Sequence, residues 1–251
     1  MADATTPVLV IPQDEPSGVE RILVVTAHPD DVDFGVAGSV ATWVKSGIGV
    51  AYCIVTDGDA GGSDRTISRS DMAAIRQDEQ RAAAAEVGVT DVTFLGYPDG
   101  RLIPSIELRR DISRVIRQVR PQRLLCQSPE RSWARLPASH PDHLAAAEAT
   151  IQAVYPDARN PFAHPTLLTD EGLEAWTVHQ LWVMGGPSSD HYVDITDTFD
   201  AKVAALRAHQ SQTAHIDQLD EFLRGWGARN AEAGKLGEGR LAEVFMLVSV
   251  P

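Results

Sequence analysis

Cysteines, basic residues and long apolar runs are all scarce in this 251-residue chain. The two cysteines, Cys53 and Cys126, fall in short apolar stretches that read as buried strands. They are expected to be core thiols, which fits a reducing cytoplasm. No apolar run approaches the roughly 18 residues of a membrane span. The first residues, Met1-Ala2-Asp3-Ala4-Thr5-Thr6, lack the basic n-region of a secretory signal. Lysine and arginine total 22 against 35 aspartates and glutamates, a formal net charge of −13. The acid is spread along the chain, so nucleic acid and anionic membranes are not expected partners. Gly58, Gly61 and Gly62 do not form a G-x-G-x-x-G fingerprint, and none follows the first strand, so a nicotinamide cofactor is not expected either. There is no internal repeat and no low-complexity tract.

What is present alternates. Residues 1–18, with Pro7, Pro12, Pro16 and Gly18, read as an N-terminal arm, mobile or packed on the surface. Residues 19–251 read as a single domain. Ile22–Val25 is an apolar run of the kind a buried parallel strand needs. A helix is expected from about Asp33, with Val36, Val40 and Val44 on one face and Gly47 at its end. Further strands are expected at Ile48–Val55, Val92–Leu95 and Leu124–Cys126. Helices are expected from an N-cap at Ser70 through Glu86, and from Ser105 to Val119 before Pro121. Val178–Met184, Tyr192–Ile195 and Val244–Val250 read as later strands, and Asp197–Gln210 and Asp217–Ala233 as helices. This pattern predicts an α/β fold, a Rossmann-like three-layer sandwich with a mostly parallel sheet.

Two near-twin tetrapeptides stand out: His28-Pro29-Asp30-Asp31 after the first strand, and His140-Pro141-Asp142-His143 after the fourth. Either alone reads equally well as a Pro-Asp turn with an aspartate capping a helix. At matching positions in the fold they can meet, because ligands of open α/β sheets bind beyond the carboxyl ends of the strands. Three histidines and three carboxylates could hold one divalent metal with two imidazoles and a carboxylate. A carboxylate and an imidazole would remain to move protons. Zinc suits such donors, and a metal that activates water makes hydrolysis the expected chemistry.

The pair resembles the LmbE-like, or PIG-L, family of N-acetylglucosaminyl de-N-acetylases. The likeness continues in Val55-Thr56-Asp57-Gly58, Arg76 with Glu79, Phe94–Gly100, and Lys202 to Gln212. It implies a zinc-dependent hydrolase that removes an N-acetyl group from an amino-sugar conjugate. By that resemblance His28, Asp31 and His143 are the metal ligands and Asp30 is the general base. His140 stabilises the oxyanion or acts as acid, and Asp142 orients His140. Arg76 and Asp99 contact sugar hydroxyls. One departure is Ala138, where mycothiol-pathway relatives carry a tyrosine. The loop Arg131-Ser132-Trp133-Ala134-Arg135 is this chain's own. His209, in the family-like stretch, is a further residue that could lie near the site. The alternatives are an amidase of the mycothiol-conjugate type and a non-catalytic sugar-binding protein of the same fold. The expected partner is a small amino-sugar substrate, and homo-oligomer formation stays open.

Overall fold

Strand β2 (Arg21–Thr26) buries every residue from Ile22 to Thr26. A run with no polar side must be covered on both faces, which a parallel sheet between two helical layers provides. The pleat divides it: Ile22 and Val24 enter one apolar core, and Leu23 and Val25 the other. In the computed structural model, which describes residues 8–10, 18–62 and 64–250, the strands run as follows. They are β1 (Val8–Val10), β2, β3 (Gly49–Thr56), β4 (Asp91–Tyr97), β5 (Arg123–Gln127), β6 (Gln180–Met184), β7 (His191–Asp194) and β8 (Ala242–Ser249). The helices are α1 (Asp31–Lys45), α2 (Arg69–Glu86), α3 (Ile106–Val119), α4 (Pro141–Gln152), the short α5 (Thr166–Thr169), α6 (Phe199–Ala208), the short α7 (Gln210–Thr213) and α8 (Leu219–Ala233).

The strands form one sheet in the order β1-β7-β8-β6-β5-β2-β3-β4. Neighbours are parallel except for β8, which runs antiparallel to both β6 and β7. This is the expected mostly parallel α/β sandwich. Residues of α1, α2, α6 and α8 fill one core, and residues of α3 and α4 the other. Both cysteines are free and buried, and burial pushes each thiol up to about 12. The chain leaves β2 toward β3 on one side and later returns to lay β5 on the other. The strand order therefore reverses between β2 and β5, and a crevice opens there at the carboxyl ends.

Three local expectations shift. Val8–Val10, inside the expected arm, adds a parallel strand to β7, with Val8 opposite His191. The rest of that arm, apart from Gly18, lies outside the described residues. Helix α1 begins at Asp31, two residues early, because the Asp30 carbonyl already accepts the Asp33 and Phe34 amides, without a side-chain cap. Helix α2 is capped by Ser68, whose hydroxyl accepts from the Asp71 amide at 3.1 Å, while Ser70 sits inside the first turn.

A buried ion pair braces α1 from the far end of the sequence. Lys202 Nζ donates to the Phe34 carbonyl at 2.7 Å and to Glu243 Oε1 at 2.5 Å. Glu243 in turn accepts from the amides of Gly38 (3.1 Å) and Ser39 (2.8 Å). Gly38 lets this face of α1 close on the chain beyond β7, because a Cβ there would stand 2.8 Å from Ile195 Cβ. In an open helix Gly→Ala stabilises by up to about 1 kcal/mol. Here Gly38→Ala is expected to destabilise by about 1–3 kcal/mol through overpacking. Urea unfolding measures this, and a gain in stability would mean that Ile195 yields without cost.

Candidate metal centre and active site

The two tetrapeptides meet at the strand-order reversal. His28 leaves β2, Asp31 opens α1, and His140 and Pro141 start α4. Proline at the first helical position of α4 is locally favoured, since its missing amide has no intrahelical partner to lose. The rings of His28, His140 and His143 form a triangle with centroids 4.9, 5.2 and 5.2 Å apart. Each ring offers a nitrogen within 4.8 Å of the others, so the three could hold a metal ion. His28, Asp99 and Asp142 form a second such group around the same histidine.

Asp31 lies between two of the histidines. Its Oδ2 is 3.3 Å from His28 Nδ1 and accepts the His28 amide at 2.7 Å. Its Oδ1 is 3.1 Å from His143 Nε2. Although burial opposes ionisation, His143 and His28 hold the Asp31 carboxyl well below its usual range. The other face of His28 is also acidic: Nε2 lies 3.1 Å from Asp99 Oδ1 and 3.2 Å from Asp142 Oδ2. Burial works against a charged His28, but hydrogen bonds to Asp142, Asp31 and Asp99 outweigh it and push the imidazole up to about 12. Burial likewise opposes charge on His143, and Asp31 raises it. So much negative charge around nitrogen donors is an environment that favours a cation.

Asp30 points elsewhere. Its carboxylate faces Arg76 Nη2 at 3.2 Å. Burial, reinforced by the Asp31 charge and opposed by Arg76, lifts it to about 7. Arg76 is itself buried, donating to the carbonyls of Gly58 (3.0 Å) and Pro29 (2.5 Å) and lying 3.8 Å from Asp99. Asp99 is held low because hydrogen bonding and charge from His28 overcome its burial. The two residues expected to meet sugar hydroxyls are thus together at the site and largely taken up by protein partners.

The expected link between Asp142 and His140 takes a different form. The Asp142 carboxylate turns to His28 and accepts from the amides of Gly100 (2.6 Å) and Leu102 (3.1 Å). What meets His140 is the Asp142 backbone, whose N–H donates to His140 Nδ1 at 3.2 Å and caps α4. An accepting Nδ1 puts the proton of the neutral ring on Nε2. Burial, with the charges of His28 and His143, lowers the His140 pKa and favours that neutral ring.

A cavity of about 320 Å³ opens beside Asp31 and His143. Phe34, Met184, Ile195, Leu223 and Trp226 give it apolar walls, and Ser189, Asn230 and Arg135 polar ones. Ala138 lines it too, so the position of the tyrosine in mycothiol-pathway relatives faces this space without a hydroxyl. Arg135, from the chain's own loop, stands 4.5 Å over the Trp226 ring.

Residues 23–154, more than half of the chain, match the family described as GlcNAc-PI de-N-acetylase. The chain belongs to this family. A diacetylchitobiose deacetylase of Thermococcus kodakarensis is 32% identical over 195 residues, covering 77% of this chain and 70% of that protein. A probable N-acetyl-alpha-D-glucosaminyl L-malate deacetylase 2 of Bacillus subtilis is 31% identical over 211 residues, covering 82% and 89%. Among solved structures, the N,N'-diacetylchitobiose deacetylase of Pyrococcus horikoshii superposes with a TM-score of 0.84 at 28% identity, covering 95% of this chain and 88% of that one. The de-N-acetylase family and these relatives are amide hydrolases, and this chain is an enzyme of that class. No helix among the described residues is long and apolar enough to cross a membrane.

Sequence reasoning passed over Gln80 and Asp33 as contributors to the site. Gln80 accepts the Asp30 amide at 2.9 Å and Asp33 accepts from Gln80 at 2.8 Å, yet neither carries a motif signature. His209 lies one layer behind the site, against Asp33. Gly58 and Gly61, set aside as lacking a cofactor fingerprint, make room for Arg76: a Cβ on either would come within 2.6 Å of Nη1. Gly61→Ala is therefore expected to displace the guanidinium and lower kcat by roughly 10-fold or more, since small misplacements at a catalytic site are costly. Steady-state kinetics on a folded variant checks this, and unchanged kcat would show that Arg76 does not need its present place.

Proposed function

We propose that the protein removes the N-acetyl group from an N-acetylglucosaminyl-type amino-sugar conjugate, with a divalent metal, most suitably zinc, held by His28, Asp31 and His143. The observation that carries this reading is the three-histidine cluster in which Asp31 bridges His28 and His143, with Asp31 and His143 lining the cavity. Two atoms each about 2.1 Å from one ion lie about 3–3.5 Å apart. The contacts of Asp31 with His28 and His143, at 3.3 and 3.1 Å, fall in that range. Asp99 and Asp142 then act on the far nitrogen of His28, as carboxylates behind metal-bound histidines do. A metal so held supplies a Lewis acid and a water of lowered pKa.

The remaining steps belong to the chain's own groups. Asp30, buried and tethered to Arg76, accepts the proton of the attacking water. The new C–O bond forms as the amide carbonyl becomes an oxyanion. The neutral His140 donates its Nε2 proton as a hydrogen bond to that oxygen, where charge develops. The C–N bond then breaks, acetate is released, and the amine takes up the proton that Asp30 held. At about 320 Å³ the cavity has far more room than an acetyl group needs, so a sugar can lie against its apolar walls. An amidase of the mycothiol-conjugate type would use the same groups on a different amide.

Chelation should abolish amine release and zinc should restore it. Asp31→Ala should lose metal. Asp30→Asn and His140→Ala should retain it and lower kcat, by roughly 10²- to 10⁴-fold for Asp30→Asn. Metal analysis beside kinetics separates these outcomes. If His140→Ala strips the metal, His140 becomes a ligand. Full hydrolysis by rigorously metal-free protein would end the metal reading altogether.

Sugar recognition has its own test. A site that hydrogen-bonds hydroxyls rejects analogues lacking them. N-acetylglucosamine conjugates are therefore expected to exceed simple acetamides of similar size in kcat/KM. Equal kcat/KM for both classes would leave a metal-dependent amidase without sugar selectivity.

A further inference from the structure

Asp30 holds φ at 91° and ψ at −29°, a left-handed conformation that a residue with a side chain rarely adopts. Such geometry costs about 1–3 kcal/mol and persists only where the surroundings over-determine it. Here they do. The Asp30 carbonyl accepts from the amides of Asp33 (2.9 Å) and Phe34 (3.0 Å). The Asp30 amide cannot join the α1 ladder and donates instead to Gln80 Oε1 at 2.9 Å. The Gln80 amide group is locked in turn, because its Nε2 donates to Asp33 Oδ2 at 2.8 Å. A flipped Gln80 would set N–H against the Asp30 N–H and oxygen against the Asp33 carboxylate. His209 Nε2 meets the same Asp33 oxygen at 2.8 Å, from the junction of α6 and α7. Gln80, Asp33 and His209 are all completely shielded from solvent, and none lines the cavity. A second contact fixes the same pair of elements: Glu79, beside Gln80, accepts from the Ser211 amide at 2.7 Å and from its hydroxyl at 2.6 Å.

We infer that the buried relay His209–Asp33–Gln80 sets the backbone conformation of Asp30 and so aims its carboxylate, making Gln80 and His209 positioning residues for the reaction. Two successive aspartates in an ordinary helical start would not send one carboxylate to Arg76 and the other between two histidines. The left-handed residue makes that divergence, and the relay is what holds it. The inference rests on the reading of Asp30 as the base, but its structural half is testable without any substrate.

Three variants carry the test. Gln80→Met keeps length and removes both hydrogen bonds. His209→Phe keeps a ring and removes the donor, and His209→Gln restores an N–H donor. Gln80→Met and His209→Phe are expected to lower kcat on an N-acetylglucosaminide by about 10- to 10²-fold, with KM within about 2-fold. Bound metal per chain should stay unchanged, and His209→Gln should recover most of the rate. In an Asp30→Asn background His209→Phe should cost little more, because what it positions is already disabled. Full additivity there, or no rescue by His209→Gln, would reduce the relay to packing. Independently of turnover, amide hydrogen exchange over residues 28–33 should accelerate in Gln80→Met and His209→Phe. If wild-type protein hydrolyses none of the sugars tried while this exchange accelerates, the functional reading fails and the positioning of Asp30 stands. If the exchange is unaltered, the relay fails whatever the substrate.

Discussion

Two adjacent carboxylates cannot serve two different masters unless the backbone between them turns sharply. That constraint, at Asp30 and Asp31, governs the site. Asp31 lies between His28 and His143 and joins the first tetrapeptide to the second. Asp30 is directed to Arg76. Everything nearby is arranged around that divergence: glycines that admit the guanidinium, a glutamine that takes the displaced amide, and an aspartate–histidine pair that fixes the glutamine. The proposed roles, metal ligand for Asp31 and base for Asp30, need opposite surroundings, and adjacent residues obtain them only by facing apart.

The sheet explains why these residues can meet at all. His28 and His143 are separated by more than a hundred residues, yet β2 and β5 are neighbours in parallel register. The reversal of strand order puts their exits side by side. The apolar strands thus place the polar groups, and the polar groups add little to the strands.

Much of this is legible in the sequence. The strands announce themselves because a buried parallel strand must be continuously apolar, as Ile22–Val25 and Leu124–Cys126 are. The paired tetrapeptides announce the site, because histidines and aspartates beside prolines at two strand exits are a costly coincidence. Other features leave no such trace. Gln80 is one polar residue on a polar helix, and nothing local says that it is wholly buried. Asp33 reads as an ordinary first-turn acid. The left-handed conformation of Asp30 is hidden, because an aspartate before a helix suggests an ordinary cap. Adjacency in sequence points Asp142 at His140, whereas the fold turns its carboxylate to His28 and leaves its backbone N–H to meet His140. The short pairing of Val8–Val10 with β7 is invisible because three residues carry no period.

The Lys202–Glu243 brace has a consequence for how the protein comes into being. Glu243 lies in β8, which follows β6 and β7 in sequence and enters the sheet between them. Until it arrives, those two strands must wait apart, and the amides of Gly38 and Ser39 lack the carboxylate that meets them in the finished fold. Helix α1, which carries Asp31 at its first residue, is therefore completed by a contact 205 residues further along the chain. Without β8 both tetrapeptides are present, but the carboxylate that meets α1 is not. Closure through so distant a contact weighs against fast assembly, because loop entropy must be lost before the contact forms.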